Sequence, residues 1–219
     1  MSTEENPILS PTAERLNSLL VNCKQARLEP ALANRFAGFC ALLLRWNARV
    51  NLTAIRDEEG ILARHFVESI ACARALPGGI GSLLDFGSGA GFPGVPIALC
   101  RPEIVVTLAE SQGKKSAFLQ EAVRVAGISA RVYSGRAETL GATFDCVILR
   151  AVDRMEQAVK SAAGLVRPGG WLAPMTTAAD LERLQAAAGT EFTWHEPLGL
   201  PGGESRILVL GQRGLNSPA

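Results

Sequence analysis

No apolar run in this chain of 219 residues approaches the roughly 18 residues that a membrane helix needs, so no spanning segment is expected. The opening Met-Ser-Thr-Glu-Glu-Asn has neither the basic nor the apolar region of a secretory leader, and a cytoplasmic protein is expected. An excess of either charge is also missing. The chain has 22 Lys and Arg against 21 Asp and Glu. Residues 1–75 hold nine cations against eight acids, and the remainder holds thirteen of each. With no basic tail, any contact with nucleic acid has to come from a local group of cations, because bulk charge supplies little of the phosphate term. Paired cysteines are absent too. Cys23, Cys40, Cys72, Cys100 and Cys146 are odd in number, widely spaced and mostly within apolar segments, which predicts reduced core thiols. Neither a disulfide framework nor a metal site is legible.

What is present starts with 47% apolar residues, enough for one large α/β domain with about 70 residues left for a smaller helical region. The most informative stretch runs from Leu83 to Cys100. A short apolar run ends in Asp85 and is followed by Gly87, Gly89 and Gly91, which reads as a buried strand feeding a tight turn. Glycines at alternate positions permit positive φ and let a ligand lie against the backbone. Pro93 suits the first position of a helix and Pro96 still falls within the first turn, so a helix is predicted from about Phe92. Dinucleotide enzymes place Gly-x-Gly-x-x-Gly directly after the strand; here that register ends on Phe92 and fails. An acid followed by Gly-x-Gly-x-Gly fits S-adenosylmethionine-dependent methyltransferases better.

Before this loop the chain reads as helical over residues 1–75. Ser10, Pro11 and Thr12 open a helix with Leu16, Leu19, Leu20 and Cys23 on its buried face. Pro30 starts a second, with the stripe Leu32, Phe36, Phe39, Leu43 and Trp46; on that stripe Trp46 reads as core. Asp57 and Glu59 favour the start of a third, which carries Ile61, Leu62, Phe66 and Ile70 inward and ends at Pro77-Gly78-Gly79. Residues 76–219 then alternate strand and helix, which predicts a mostly parallel sheet. Strands are expected at Ile104–Ala109, Ala130–Ser134, Phe144–Leu149, after a turn at Val166–Leu172, at Phe192–His195 and at Arg206–Leu210. Helices are expected at Lys114–Ala126 and Leu181–Ala188. Glu110, at the end of the second strand, is placed to accept hydrogen bonds from ribose hydroxyls.

Trp46-Asn47, Asn51-Leu52-Thr53, Arg64-His65 through Glu68-Ser69, the loop from Asp85 to Pro96, Glu110-Ser-Gln-Gly-Lys-Lys115 and Leu149-Arg-Ala151 together resemble the RsmG family, formerly glucose-inhibited division protein B. The resemblance covers roughly residues 15–210. It implies an α/β, Rossmann-like S-adenosylmethionine-dependent methyltransferase sheet with an N-terminal helical cap, strand order 3-2-1-4-5-7-6 and an antiparallel last strand. It also implies methylation of N7 of a guanine in 16S ribosomal RNA, with S-adenosyl-L-methionine as cofactor. Carried over by position, donor contacts fall on Gly87, Phe92, Ala137, Glu138 and Arg150, to which the loop and strand-end arguments add Gly89 and Glu110. Three positions depart from the family pattern: Glu68 stands for an aspartate, Phe92 for a leucine, and Met175-Thr-Thr177 for a Lys-Gly pair.

Guanine N7 carries an in-plane lone pair and no proton, so no general base is required. The Asn-Pro-Pro-Tyr and Pro-Cys motifs of other base methyltransferases are missing after the fourth strand, where Leu149-Arg-Ala-Val152 stands. Arg150 is therefore the expected catalytic residue, acting by orientation, and Arg64, His65, Arg136 and Arg206 are the expected RNA contacts from a monomer acting on 16S RNA or the small ribosomal subunit. Eighteen of the 22 cations are arginine, which suits bidentate phosphate recognition, although genomic GC content produces the same bias. Other readings stay open. Arg150 could be an ion-pair partner of Asp153 or Glu138, and His65 a packed residue. His195 reads as structural, Lys114 and Lys115 as solvated or touching RNA, and Glu204 and Arg206 as surface pairs. A small-molecule methyltransferase with the helical region as a lid, or an RNA-binding module with a vestigial cofactor fold, would carry the same chain.

Overall fold

The computed structural model describes residues 8–202 and 205–215; Glu204 and the opening six residues considered above lie outside them. Helix α1 (Pro11–Asn22) begins where the sequence predicts, because Ala13 N–H donates to Ser10 Oγ at 3.3 Å and Pro11 fills the first turn. Helix α2 (Pro30–Asn47) follows. The third predicted helix is interrupted. Helices α3 (Glu58–Ile61) and α4 (Val67–Ala75) flank a π turn at Leu62–Phe66, and Asp57 caps the start by accepting from Gly60 N–H at 2.7 Å. Such a turn shifts the helix face by one residue, and it carries Arg64 and His65.

The chain between α2 and α3 is fixed by one buried side chain. Asn47 Oδ1 accepts from the N–H groups of Leu52 and Thr53 at 2.9 and 3.0 Å, and its Nδ2 donates to the Ile55 carbonyl at 3.0 Å. Asn47→Ala strips those three backbone groups of their partner. We expect a loss of about 2–4 kcal/mol, measured as a lower urea midpoint at unchanged m-value.

The second half contributes β1 (Ser82–Phe86), α5 (Gly94–Cys100), β2 (Val105–Ala109), α6 (Gly113–Ala126), β3 (Ala130–Tyr133), β4 (Phe144–Arg150), α7 (Met155–Ala163) and β5 (Val166–Thr177). After these come α8 (Leu181–Ala188), β6 (Phe192–Trp194), β7 (Leu198–Gly199), β8 (Arg206–Leu208) and β9 (Gly211–Arg213). Strands run β3-β2-β1-β4-β5 in parallel, and β8 and β9 lie antiparallel beside β5. Strand β6 pairs with β9 and β7 with β8. The implied order 3-2-1-4-5-7-6 therefore holds, with the seventh strand interrupted where Val209 N–H turns to the Pro174 carbonyl.

Successive side chains point to opposite faces of each strand, and the two hydrophobic clusters divide accordingly. Leu83, Cys146, Ile148 and Ala173 face α1, α2, α4, α5 and α6, whereas Leu84, Val147, Leu149 and Leu172 face α7 and α8. The N-terminal helices thus share one core with the sheet. Burial pushes the Cys40 thiol up to about 12 and the Cys100 thiol up to about 11, in keeping with core thiols.

Three further expectations need correcting, and one helix was not expected. Helix α5 starts at Gly94, two residues after Phe92, because Gly94 N–H is taken by Asp85 Oδ2 at 3.0 Å and Pro93 serves as the cap. Val166–Leu172 is the first part of β5, with the Pro-Gly-Gly absorbed by a register shift against Phe144 and Cys146. Trp46 is only partly buried and lies at the edge of the core. Helix α7 has no counterpart among the sequence expectations; its inner face is the small-residue set Ala158, Val159, Ala162 and Ala163, a weak periodic signal.

Candidate functional site

In open α/β sheets, ligands sit at the carboxyl ends of the strands where the strand order reverses, here between β1 and β4. A cleft of about 740 Å³ occupies that position, within the range of small-ligand and cofactor pockets. Its floor is the loop after β1. Gly87, Gly89 and Gly91 have φ of +74°, +55° and +84°, values disfavoured for side chains with a Cβ. Beneath the loop, Asp85 is fully buried, and burial raises its carboxyl to about 7 despite the Gly94 N–H. Its role is to tie β1 to the start of α5. Glu110 Oε2 accepts from Gly89 N–H at 3.0 Å and Oε1 from Gln112 N–H at 2.7 Å, which fixes this carboxylate at the cleft wall.

The cleft brings together every residue expected from the sequence to contact donor or RNA. Gly87, Gly89, Phe92, Glu110, Ala137, Glu138 and Arg150 line it, as do Arg64, His65, Arg136 and Arg206. Sequence reasoning missed Arg154 and left Lys115 undecided; both also line it. Arg154 gave no local signal, and it reaches the cleft through a left-handed backbone, φ +52°, shortly after Ala151 at +50°. Of these six cations only Arg150 has an ion-pair partner among the described residues. The other ion pairs, Arg15–Glu59, Arg27–Glu14, Arg101–Glu103, Arg167–Asp145 and Arg183 with Glu156 and Asp180, involve no residue of the cleft. Against six cations the cleft shows three acids, Glu110, Glu138 and Asp153. A chain of net charge +1 thus concentrates uncompensated positive charge at one opening.

Arg150 pairs with neither Asp153 nor Glu138. Its Nη2 lies 2.7 Å from Glu68 Oε2 and donates to the Arg64 carbonyl at 2.9 Å. The two side chains are 7% and 1% exposed. Arg150 Nη1 and both Glu68 oxygens have no hydrogen-bond partner. Burial raises the Glu68 carboxyl against the opposing pull of Arg150, Arg206 and Arg64, and burial lowers Arg150. For both partners desolvation outweighs attraction, as is common for buried pairs. In the sequence Glu68 shows itself only as part of the block from Arg64-His65 to Glu68-Ser69 that carries the family resemblance, and its pairing with Arg150 has no local signal.

His65 stacks on Phe92 with centroids 5.0 Å apart, and its Nε2 lies 2.8 Å from Thr53 Oγ1. Burial first, then Arg150, Arg64 and Arg206, push it down to about 3. It stays neutral at physiological pH and acts in the cleft wall as an uncharged hydrogen-bond group. An unfolded chain protonates this ring near 6.5 while the folded one does not, so His65 contributes stability that is lost as pH falls from about 6.5 toward 3. The stability difference between wild type and His65→Gln is expected to shrink by up to about 1.4 kcal/mol per pH unit in that window. Urea titrations at successive pH values measure it; a difference independent of pH refutes the assignment.

The model of the family described as GidB, rRNA small subunit methyltransferase G, matches residues 32–196. The ribosomal RNA small subunit methyltransferase G of Roseiflexus sp. (strain RS-1) is 41% identical over 208 residues, covering 88% of this chain and 89% of that protein. Among solved structures, a predicted O-methyltransferase of Agrobacterium tumefaciens is similar in fold, with TM-score 0.55 at 21% identity over 67% of this chain and 81% of that one. PigF, solved with SAH, is similar at TM-score 0.54 and 18% identity over 67% of this chain and 55% of that one. The glycine loop, the strand order and these matches agree: the chain belongs to the rRNA small subunit methyltransferase G family, on the Rossmann-like fold of S-adenosylmethionine-dependent methyltransferases.

Proposed function

We propose that the protein methylates N7 of a guanine in 16S ribosomal RNA, using S-adenosylmethionine, as a monomer in the cytoplasm. The observation that carries this reading is the convergence of Arg64, Lys115, Arg136, Arg154 and Arg206, all without ion-pair partners among the described residues, around the cleft that holds the glycine loop. A small uncharged substrate has no use for five such cations, whereas an RNA backbone neutralises them.

The residues fit the donor. Gly87 and Gly89 offer backbone without side chains, and Glu110 presents an anchored carboxylate suited to ribose hydroxyls. Gly87, Gly89, Phe92, Glu110, Ala137, Glu138 and Arg150 would hold it. When bound, the donor supplies an electrophilic methyl group on a sulfonium centre. The protein supplies orientation: Arg150 Nη1, buried and without a partner, is available to a ligand oxygen, and Phe92 with His65 forms a flat wall. A His65 held down to about 3 is a poor base, which suits a nucleophile that has no proton to lose. A guanine in a loop or single strand reaches the cleft at least cost, because it is already unstacked.

The test is to incubate naked 16S RNA and small ribosomal subunits with labelled donor, digest to nucleosides and identify the labelled product by mass spectrometry. Label in 7-methylguanosine is expected; label in any other nucleoside, or none, overturns the reading. Light scattering checks the monomer.

A further inference from the structure

A second depression, of about 430 Å³, lies at the carboxyl end of α2 and is lined by Arg45, Trp46, Ala48, Arg49 and Val50. Arg45 and Arg49 stand one turn apart, because the backbone stays helical-like through Val50, whose N–H donates to the Trp46 carbonyl at 2.8 Å. Both arginines are exposed, and neither has an ion pair or side-chain hydrogen bond among the described residues. Trp46 between them is held rigidly. Its Nε1 donates to Glu121 Oε2 at 2.8 Å, and its ring meets Phe118 edge-on at 5.7 Å.

A chain of ring contacts runs through the core from the depression to the cleft wall. Phe118 lies 6.3 Å from Phe39, Phe39 lies 5.4 Å from Phe92, and Phe92 stacks on His65 in the cleft wall. On α6, Lys115 lines the cleft one turn before Phe118, with exposed Lys114 beside it. Two uncompensated arginines around a partly buried, hydrogen-bonded indole at the edge of the core make the pattern that takes single-stranded nucleic acid, cations for phosphates and a ring for a base. Burying the same arginines against protein would require acids from the partner.

We propose that this depression seats the RNA flanking the target nucleotide, with phosphates on Arg45 and Arg49 and a base against Trp46. The proposal rests on the reading of RNA as the substrate of the cleft. The test is Arg45→Gln/Arg49→Gln in the full chain, beside a control of equal charge change, Arg131→Gln/Lys160→Gln, at the start of β3 and on α7. Affinity for 16S RNA is measured across a salt series. The double variant is expected to lower the slope of log K against log salt by about 1.4, two single-strand phosphate contacts, and to raise KM for RNA several-fold with kcat and donor affinity unchanged. RNA is expected to quench wild-type fluorescence more than that of Trp46→Phe.

A slope and KM equal to wild type, or matched by the control pair, overturn the proposal while leaving the cleft reading intact. A defect confined to assembled subunits and absent on naked RNA also overturns it, and points to a ribosomal protein at this surface. Failure of the wild type to methylate RNA removes both.

Discussion

Gly87→Asp is expected to abolish donor binding while leaving a folded protein. Gly87 has φ +74°, and a Cβ there would come within 3.2 Å of Val152 Cγ2, a contact that Val152 must shift to relieve. The strain costs about 1–2 kcal/mol, which a protein with a core of this size survives. The added carboxylate lies on the cleft floor, where Gly87 leaves bare backbone, and it excludes the donor by volume. A drop of at least 100-fold in affinity, about 2.7 kcal/mol or more, is expected by titration calorimetry. Gly87→Ala carries the same φ strain without the carboxylate, and it is expected to lose stability with a smaller loss of binding. If Gly87→Asp binds the donor as wild type does, the loop is not its site.

The second large effect concerns Arg150. Arg150→Met leaves Glu68, 1% exposed, without its counter-charge. Breaking a buried pair in this way costs about 3–5 kcal/mol, and the variant is expected to unfold at a markedly lower urea concentration. Methyl transfer is expected to fall as well, since the free Nη1 is lost from the cleft. A merely structural Arg150 predicts that stability and activity return together. The double variant Arg150→Met/Glu68→Leu separates the two, because replacing both charges with apolar side chains relieves the desolvation penalty. Stability is expected to recover and activity to stay low. Recovery of activity along with stability would return Arg150 to a structural role.

The residues differ in how far they reveal themselves without tertiary contacts. Gly87, Gly89 and Gly91 were legible because φ is a local property, and all three take the positive values that their spacing suggests. Glu110 was legible because a strand of known length and a turn fix the distance along the chain. Trp46 was misplaced because its apolar stripe runs to the end of α2, where the core has already thinned and Glu121 engages the indole. The start of β5 was hidden because Pro168-Gly169-Gly170 reads as a turn, and only pairing with β4 shows that the strand continues through it.

The sequence by itself determined the alternation of strand and helix, the glycine turn, the acid that closes it and the family, since each depends on neighbours within about 20 residues or on blocks that need no coordinates. The structure alone decided that Arg64, Lys115, Arg136, Arg150, Arg154 and Arg206 share one opening and that Arg150 pairs with Glu68. Charge interacts through space. The Arg150 guanidinium reaches the Arg64 carbonyl 86 positions away, and no periodicity along the chain encodes that encounter; the parallel sheet and the π turn bring it about.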